Sequence, residues 1–244
     1  MSAAPHIGII TQARMTSSRL PGKILKEANG KPLLQHHIDR LKRTGFDIVI
    51  ATTTNATDDI VCRHSESNNI HYFRGSEDNV LSRFHGAASK SGFDIIVRVT
   101  SDCPLIDPHL VRNSVEKYMK LNDPNLYMSN SIERTFARGF DFEIFSFSAL
   151  DEAFRNAVTE SDLEHVTPYI WKNKSGKISS YQVKQEKDHS AYRITVDTQE
   201  DYELVKILIE KHNASDLSYV EIEDILGKHP ELATMNTHIE QKKV

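Results

Sequence analysis

The chain alternates short apolar runs with amphipathic segments, and this pattern predicts an α/β protein. Apolar runs that are rich in β-branched residues and have the length of buried strands lie at 6–11, 47–51, 70–73 and 94–100. Segments with helical periodicity lie between them, at about 32–41, 56–67 and 78–90. Strands that alternate with helices predict a Rossmann-like, mostly parallel sheet with helices on both faces.

The second half of the chain predicts a less regular part of the same architecture. Asp107 and Pro108 are typical of an N-cap and the first residue of a helix, which we expect to continue to about Leu121. Beyond it we predict strands at about 126–130, 140–147, 178–185 and 193–196. We predict helices at about 148–157, at 161–173 and from a capping box at Thr198–Asp201 to about 211.

These elements are expected to form one domain over residues 1–244. The irregular stretch at about 125–190 could supply a subregion that binds an acceptor or forms a dimer. We expect the tail at 241–244 to be frayed, as chain ends often are.

Composition narrows the partners and the location that we expect. The chain carries 30 Lys and Arg against 34 Asp and Glu, so it lacks the bulk positive charge that holds proteins on nucleic acids or anionic membranes. No apolar run approaches the roughly 18 to 20 residues of a membrane span, and the N-terminal MSAAPHIGII lacks the basic start of a signal peptide. Cys62 and Cys103 are too few for a disulfide framework. We therefore expect a cytoplasmic protein with reduced thiols and a small-molecule substrate.

A basic, hydroxyl-rich loop follows the first predicted strand. The segment ARMTSSRLPGK at 13–23 holds three cations, Arg14, Arg19 and Lys23. Ligands of α/β proteins bind at the carboxyl ends of the strands, where this loop lies. Backbone amides and hydroxyls such as that of Ser18 could wrap a triphosphate, while the cations stabilise the departing pyrophosphate. The loop lacks the P-loop pattern, which disfavours an ordinary ATPase, and a solvated basic turn is the plain alternative.

Two carboxylates follow predicted strands elsewhere in the chain. Asp102 lies just beyond the strand at 94–100, and Asp197 lies just beyond the one at 193–196. Because Mg²⁺ is commonly bound by one or two carboxylates and substrate phosphates, Asp102 is well placed to hold it, and both side chains could converge on one ion. The alternative is a strand end or a helix cap. Asp107 already caps the next helix, which leaves Asp102 free for another role.

Two polar turns are candidates for contacts with a nucleobase. One begins at Thr52, and the other contains Ser76, Asp78 and Asn79. Small hydroxyl and amide groups can recognise the edge of a pyrimidine, and the size of the site can exclude a purine. Ordinary turns, with Ser76 or Asp78 as the N-cap of the next helix, explain the pattern equally well.

The loop at 13–23 resembles the signature of the cytidylyltransferases that activate sugar acids, such as CMP-Kdo synthetase and acylneuraminate cytidylyltransferase. Ala13 and Arg14, and then the run 19–23, match this signature residue for residue. The sequence is most similar to the spore-coat polysaccharide branch, called SpsF-like, over about residues 6–210. The segments that carry this similarity are RGSEDNVLSRF at 74–84, RGFDFEIF at 138–145 and EHVTPYI at 164–170.

The resemblance implies an enzyme with a fold of the nucleotide-diphospho-sugar transferase (GT-A-like) type. Such an enzyme transfers CMP from CTP to a small acceptor, releases pyrophosphate, and serves the synthesis of a surface polysaccharide or glycoconjugate. The resemblance also implies that Asp102 and Asp197 bind the metal and that the turns at 52–57 and 75–79 face the base. A homodimer is expected because the family commonly dimerises.

Candidate acceptor residues lie in the branch-specific segments, and they are Arg138, Asp141, Glu143 and His165. Arg138 could pair with an acceptor carboxylate, phosphate or phosphonate. His165 follows an apparent capping box at Ser161–Glu164, and a packed or surface histidine explains it equally well. The remaining histidines show no metal-ligand pattern and receive no role.

Two other functions remain open from the sequence. A glycosyltransferase that uses a nucleotide sugar has a related architecture, although such enzymes usually place two aspartates around one residue at the strand end, a pair that 101–104 lacks. A nucleotide-binding scaffold without turnover is the other alternative. It would be expected to lose some of the cations or carboxylates, all of which are present.

Overall fold

Side chains on alternate faces of the central strands form the core of the molecule. The computed structural model describes residues 4–240, and its main sheet is centred on β1 (Ile7–Gln12). Ile9 and Ile10 of this strand are fully buried in two different hydrophobic clusters. Neighbouring side chains of a strand point to opposite faces of a sheet, so both faces are covered.

The main sheet of the described chain has seven strands. In addition to β1 these are β4 (Asp47–Thr53), β5 (His71–Gly75), β6 (Ile95–Thr100), β7 (Leu126–Ser129), β8 (Glu143–Ser146) and β9 (Ser179–Gln182). A small ribbon consists of β2 (Glu27–Ala28) and β3 (Lys31–Pro32). The order in the main sheet is β5-β4-β1-β6-β8-β7-β9, and β8 alone runs antiparallel to its neighbours. This confirms the predicted mixed, mostly parallel sheet, and the stretch at 125–190 supplies three of its strands.

Helices cover the two faces. They are α1 (Leu33–Lys42), α2 (Asp59–Ser67), α3 (Val80–Ser91), α4 (Pro108–Leu121), α5 (Phe147–Asn156), α6 (Glu160–His165), α7 (Pro168–Trp171), α8 (Gln199–His212), α9 (Tyr219–Lys228) and α10 (Pro230–Ala233). Apolar residues of α3, α5 and α7 fill one cluster, and those of the other long helices fill the second. Within residues 4–240, no helix combines the length and hydrophobicity needed to span a lipid bilayer.

The predicted cap of α4 is confirmed and has a second partner. Asp107 Oδ1 accepts a hydrogen bond from the Leu110 backbone N–H at 2.8 Å, and Pro108 is the first helical residue. Asp107 Oδ2 accepts from the backbone N–H of Tyr219 at 2.6 Å, which attaches α9 to the same point. We did not predict α9 or α10 from the sequence. The frayed tail expected at 241–244 lies outside the described residues.

The strand predicted at 193–196 is wrong. Arg193 forms only an isolated bridge with Arg138. The backbone N–H groups of Ile194 and Val196 donate to the carbonyls of Arg138 and Asp102, each at 2.7 Å. Ile194 and Val196 are fully buried, which explains their strand-like composition. Their hydrogen-bond partners, however, are loops at the carboxyl end of the sheet.

The helix predicted at 161–173 is instead two short helices, α6 and α7. They are separated by Val166, which has a positive φ of 72°. The side chain of Thr159 caps α6 by accepting from the Asp162 N–H at 3.3 Å, so the expected capping box at Ser161–Glu164 is wrong. His165 is the last residue of α6, and the break after it places this side chain at the edge of the functional region.

Candidate active site

The basic loop at 13–23 folds back on itself so that Gly22 lies against Met15. The carbonyl of Met15 accepts hydrogen bonds from the backbone N–H groups of Ser17 and Gly22, each at 3.0 Å. Gly22 has a φ of 68°, a conformation that glycine adopts more readily than other residues. Lys23 then opens a short 3₁₀ turn, Lys23–Leu25, and its side chain reaches the carboxylates that follow β6 and precede α8.

One ammonium group joins the two predicted metal carboxylates. Lys23 Nζ lies 3.0 Å from Asp102 Oδ2 and 2.8 Å from Asp197 Oδ1. Asp197 Oδ2 also pairs with Arg19 at 2.9 Å and with Arg193 at 2.7 Å. Residues that are far apart in the sequence therefore form one charged cluster, although the strand predicted before Asp197 does not form.

Lys23 and Asp102 both remain charged although they are largely buried. Burial raises the pKa of Asp102, but the Lys23 charge and a hydrogen bond from Thr100 outweigh it and bring the pKa to about 2. Burial lowers the pKa of Lys23, but the charges of Asp102 and Asp197 outweigh it and raise the pKa above its usual value. At neutral pH the cluster thus contains an ionised Asp102 beside a protonated Lys23.

Asp102 and Asp197 fit a hard divalent cation that takes most of its ligands from substrate and water. Both carboxylates face one positive charge, the Lys23 ammonium, which occupies the space between them. Within residues 4–240 no cluster of three or more His, Cys, Asp or Glu side chains could hold a metal by itself. The pair is therefore consistent with an ion such as Mg²⁺ that also binds phosphate oxygens, and not with a closed structural site.

Most of the predicted nucleotide-binding residues line a single cleft of about 240 Å³. The predicted residues along it are Ala13, Arg14, Ser18, Arg19, Lys23, Asp102 and Asp197. His165, predicted as an acceptor residue, also lines this cleft. Sequence reasoning missed eight further lining residues, which are Gln12, Ser17, Ile24, Val80, Arg83, Thr100, Ser101 and Glu164.

The four candidates for base recognition are not among the residues that line this cleft. Thr52 is fully buried in β4. Asn79 caps α3 by accepting from the Ser82 backbone N–H at 2.8 Å, and Ser76 Oγ accepts from the Asn79 N–H at 3.0 Å. Asp78 is exposed. Asn79 is thus the N-cap, where the sequence had suggested Ser76 or Asp78 for that role.

Arg83 connects the turn at 75–79 to the cleft. Its side chain is 2% exposed and donates hydrogen bonds to the backbone carbonyls of Ser76 and Glu77. Burial and then the charge of Arg14 lower the pKa of Arg83 to about 10, so the side chain remains charged at neutral pH. The Glu77 carboxylate in turn accepts from Thr16 of the basic loop. The predicted base-recognition turn is therefore attached both to the basic loop, through Thr16, and to the buried Arg83.

The four predicted acceptor residues lie together in a second, adjoining cavity of about 650 Å³. Arg138, Asp141, Glu143 and His165 all line it. Two of them form ion pairs within the protein, since Asp141 pairs with Arg134, and Glu143 pairs with Arg98. Glu143 also accepts hydrogen bonds from Tyr127 at 2.5 Å and Thr167 at 2.6 Å, so its oxygens are largely occupied by the protein.

Arg138 and His165 are the acceptor candidates that protein groups hold least, since His165 Nε2 has only a long contact of 3.9 Å with Glu164 Oε2. Among the described residues, no hydrogen bond or ion pair holds the Arg138 guanidinium, which is partly buried in the second cavity. Burial and the nearby charge of Arg134 lower the pKa of Arg138, an arrangement that an anionic ligand would relieve. His165 and Thr100 line both cavities and form the wall between them. Burial also lowers the pKa of His165, which favours a neutral imidazole.

The fold places the chain among Rossmann-like nucleotidyltransferases. It superposes on the structure of a cytidylyltransferase from Leptospira borgpetersenii with a TM-score of 0.90 and 34% identity, over 99% of this chain and 100% of the other. The chain belongs to the cytidylyltransferase family, because the model of that family matches residues 7–243.

Two curated relatives show how the similarity is distributed. The spore coat polysaccharide biosynthesis protein SpsF of Bacillus subtilis is 32% identical over 92% of this chain and 95% of its own length. A 3-deoxy-manno-octulosonate cytidylyltransferase of Aeromonas salmonicida is 28% identical over 51% of each chain. The SpsF-like resemblance is therefore confirmed, and it covers a larger share of the chain than the expected residues 6–210.

Some of the lining residues that we missed could have been found from the sequence. Gln12 and Thr100 are the last residues of β1 and β6, and strand ends are where this fold binds ligands. Arg83 lies between Val80 and Phe84 on the apolar face of α3, and a cation in such a position calls for a partner. Glu164 opens the branch-specific segment at 164–170, from which only His165 was chosen.

Proposed function

We propose that this protein is a Mg²⁺-dependent cytidylyltransferase that moves CMP from CTP to a small anionic acceptor and releases pyrophosphate. One observation carries the proposal: a cleft with cations and paired carboxylates shares a wall with a second cavity that contains an available arginine. A reaction between a triphosphate and an acceptor needs two such adjoining sites. CTP is preferred to other nucleotides because the family and the Aeromonas relative are cytidylyltransferases.

The basic loop would stabilise charge on the pyrophosphate group. Arg14, Arg19 and Lys23 line the cleft, and Lys23 is already held between the carboxylates. As an acceptor oxygen bonds to the α-phosphorus, the bond to the β-phosphate oxygen breaks and its electron pair leaves with pyrophosphate. Cations that lie against the bound phosphates lower the energy of that developing charge.

Asp102 and Asp197 would hold Mg²⁺, with Lys23 moving from between them onto the phosphates. When bound, the ion supplies positive charge to the phosphate oxygens. The surrounding residues keep the carboxylates in position, since Asp197 retains its pairs with Arg19 and Arg193. The protein thus contributes mainly the positions of charged groups.

The second cavity would bind the acceptor through Arg138. Its guanidinium can take a carboxylate, phosphate or phosphonate in a bidentate pair. If the attacking group is a hydroxyl, a neutral His165 on the wall between the cavities is placed to accept its proton. The similarity to SpsF supports a role in surface polysaccharide or glycoconjugate synthesis. The expected homodimer and cytoplasmic location stay predictions.

Nucleotide selectivity is the first test. The melting temperature would be measured with CTP, UTP, ATP and GTP, each with and without Mg²⁺, since a ligand that binds the native state raises it. We expect a shift that is largest for CTP and depends on Mg²⁺. Stabilisation by nucleotide sugars, with none by any triphosphate, would contradict the proposal and favour a glycosyltransferase.

Asp102→Asn tests the metal role in the same protein. We expect pyrophosphate release from CTP and an acceptor panel of sugar acids, phosphates and phosphonates to fall at least a hundredfold, while the variant stays folded. Asp224→Asn is the matched control, because Asp224 is an exposed carboxylate that pairs with Lys228 outside the two cavities. Near-normal turnover by Asp102→Asn would refute the metal role.

A further inference from the structure

A third carboxylate, Asp201, lies next to Asp197 but does not line either cavity. Asp201 is fully buried, and its Oδ1 accepts hydrogen bonds from Arg193 Nε at 2.9 Å and Asn236 Nδ2 at 2.7 Å. Its Oδ2 accepts from Arg193 Nη2 at 3.1 Å and from the backbone N–H groups of Asp197 and Thr198 at 2.9 and 3.0 Å. All of these partners donate, so Asp201 acts as an ionised carboxylate.

The guanidinium of Arg193 is shared between Asp201 and Asp197. Asp201 binds it at two points, through Nε and Nη2, whereas Asp197 Oδ2 pairs with Nη2 alone at 2.7 Å. Arg193 is 6% exposed, so water screens its charge only weakly. The two-point pair with Asp201 therefore balances a buried positive charge that acts directly on Asp197.

Asp197 is already surrounded by positive charge. Arg19 lies 2.9 Å from its Oδ2, and Lys23 Nζ lies 2.8 Å from its Oδ1. On the proposed function a divalent cation binds at this carboxylate, and every uncompensated positive charge beside it opposes that binding. Lys23 can move onto the phosphates, but Arg193 is buried and held in place. Its charge has to be balanced where it stands.

The capping of helix α8 does not by itself require a carboxylate at position 201. The backbone N–H groups of Asp197 and Thr198 need only an acceptor oxygen, which the amide of asparagine also provides. Arg193 is the partner that needs the negative charge, because a neutral amide cannot balance a buried guanidinium.

We propose that Asp201 is a positioning residue of the metal site, which balances Arg193 so that the charge of Asp197 remains for the cation that accompanies the nucleotide. This inference rests on the proposed function, which supplies the nucleotide and the metal. It predicts that removing one buried negative charge outside both cavities reduces the contribution of Mg²⁺ to nucleotide binding.

The test measures CTP binding by isothermal titration calorimetry, in Mg²⁺ and in EDTA, for the wild type and Asp201→Asn. We define the Mg²⁺ gain as the Kd for CTP in EDTA divided by the Kd in Mg²⁺. Asp201→Asn should lower the Mg²⁺ gain about tenfold, because a unit of negative charge near the divalent ion is lost. In EDTA it should bind CTP as tightly as the wild type or more tightly, since that charge no longer opposes the triphosphate.

These opposite effects separate a positioning role from simple damage to the fold, which would weaken CTP binding in EDTA as well. Asp224→Asn is the control, because it removes the same charge from an exposed residue that pairs with Lys228. It should keep the wild-type Mg²⁺ gain. If the wild type binds no CTP or shows no Mg²⁺ gain, the proposed function fails. If the wild type shows the gain and Asp201→Asn keeps it, only the role of Asp201 is refuted.

Arg193 provides a second, independent variant. Arg193→Gln removes the cation that Asp201 balances, so its Mg²⁺ gain should equal or exceed that of the wild type. In this background Asp201→Asn should lower the gain less than it does alone. A reduced gain in Arg193→Gln, or an equal loss from Asp201→Asn in both backgrounds, would overturn the inference.

The melting temperature of each variant is measured first, because Asp201→Asn leaves a buried guanidinium with less compensation. If Asp201→Asn is unfolded in buffer, all titrations are repeated in trimethylamine N-oxide, an osmolyte that favours the folded state. If the variant stays unfolded there, Arg193→Gln decides the question by the direction in which its Mg²⁺ gain changes.

Discussion

Replacing Lys23 by methionine removes the charge that the two site carboxylates share. Methionine keeps most of the length and the apolar stem of lysine, so the change acts mainly on charge. Asp197 retains Arg19 and Arg193, whereas Asp102 loses its one ion-pair partner among the described residues. The variant therefore leaves one poorly compensated carboxylate beside another.

The loss of stability follows from the burial of Asp102. Breaking a fully buried ion pair costs about 3–5 kcal/mol. The side chain of Asp102 is 26% exposed, so water screens part of this effect, and we expect about 2 kcal/mol at neutral pH. For a chain of this size, that lowers the melting temperature by about 4–8 °C.

The pH dependence of this loss has a definite sign. In the wild-type protein the pKa of Asp102 is lowered from 3.8 to about 2. The stabilisation is thus fully present above about pH 4 and disappears as the pH falls through 2. The difference in stability between the wild type and Lys23→Met should be largest at neutral pH and should narrow in acid.

Thermal unfolding with and without Mg²⁺ gives the assay. Without nucleotide, millimolar Mg²⁺ should raise the melting temperature of Lys23→Met more than that of the wild type, because the ion no longer competes with an ammonium. Turnover should fall about 10²- to 10³-fold. Lys177→Met, which removes an exposed pair with Glu152, is the control. Unchanged melting and no Mg²⁺ effect in Lys23→Met would refute the reasoning.

Three further changes test other parts of the molecule. Arg138→Met should raise KM for the acceptor about tenfold to a hundredfold and leave CTP affinity unchanged, as measured by pyrophosphate release and calorimetry. Arg193→Met should lower the free energy of unfolding in urea by about 3–5 kcal/mol, because fully buried Asp201 loses its guanidinium partner. Burial lowers the pKa of His37 from 6.5 to about 4, so the unfolded chain binds a proton there more readily than the folded protein does. The free energy of unfolding should therefore decrease by about 3 kcal/mol as the pH falls from 6.5 to 4. His37→Gln should remove that part of the pH dependence, as measured by urea unfolding.

The sequence predicted the fold best where local signals and tertiary contacts agree. The Thr198 capping box appears at the start of α8, and both of its hydrogen bonds form. The signals failed where hydrogen-bond partners are distant, because Ile194 and Val196 have the composition of a strand but bond to loops. An apolar pattern predicts which residues are buried, but it does not predict which carbonyl accepts the hydrogen bond from each backbone N–H.

The site was predictable in its charged groups and less so in its neutral ones. The loop signature located Lys23, the end of β6 located Asp102, and Asp197 joins them although the strand predicted before it does not form. The branch-specific segment at 138–145 correctly indicated Arg138, which lines the second cavity. Glu143 of the same segment is hydrogen-bonded by Tyr127 and Thr167, and no sequence pattern reveals those partners. Neutral lining residues such as Ser17 and Ser101 were not predicted.

The hydrogen bond between the Val196 N–H and the Asp102 carbonyl has a consequence for how the site meets its substrate. It joins the main chain of one site carboxylate to the residue before the other, at 2.7 Å. The spacing of the two main chains that carry the carboxylates is thereby set by the backbone, and a side-chain substitution at 23 leaves that frame in place. Such a site is preorganised: little of the binding energy of the nucleotide is spent on assembling the charges, and more remains for the transition state.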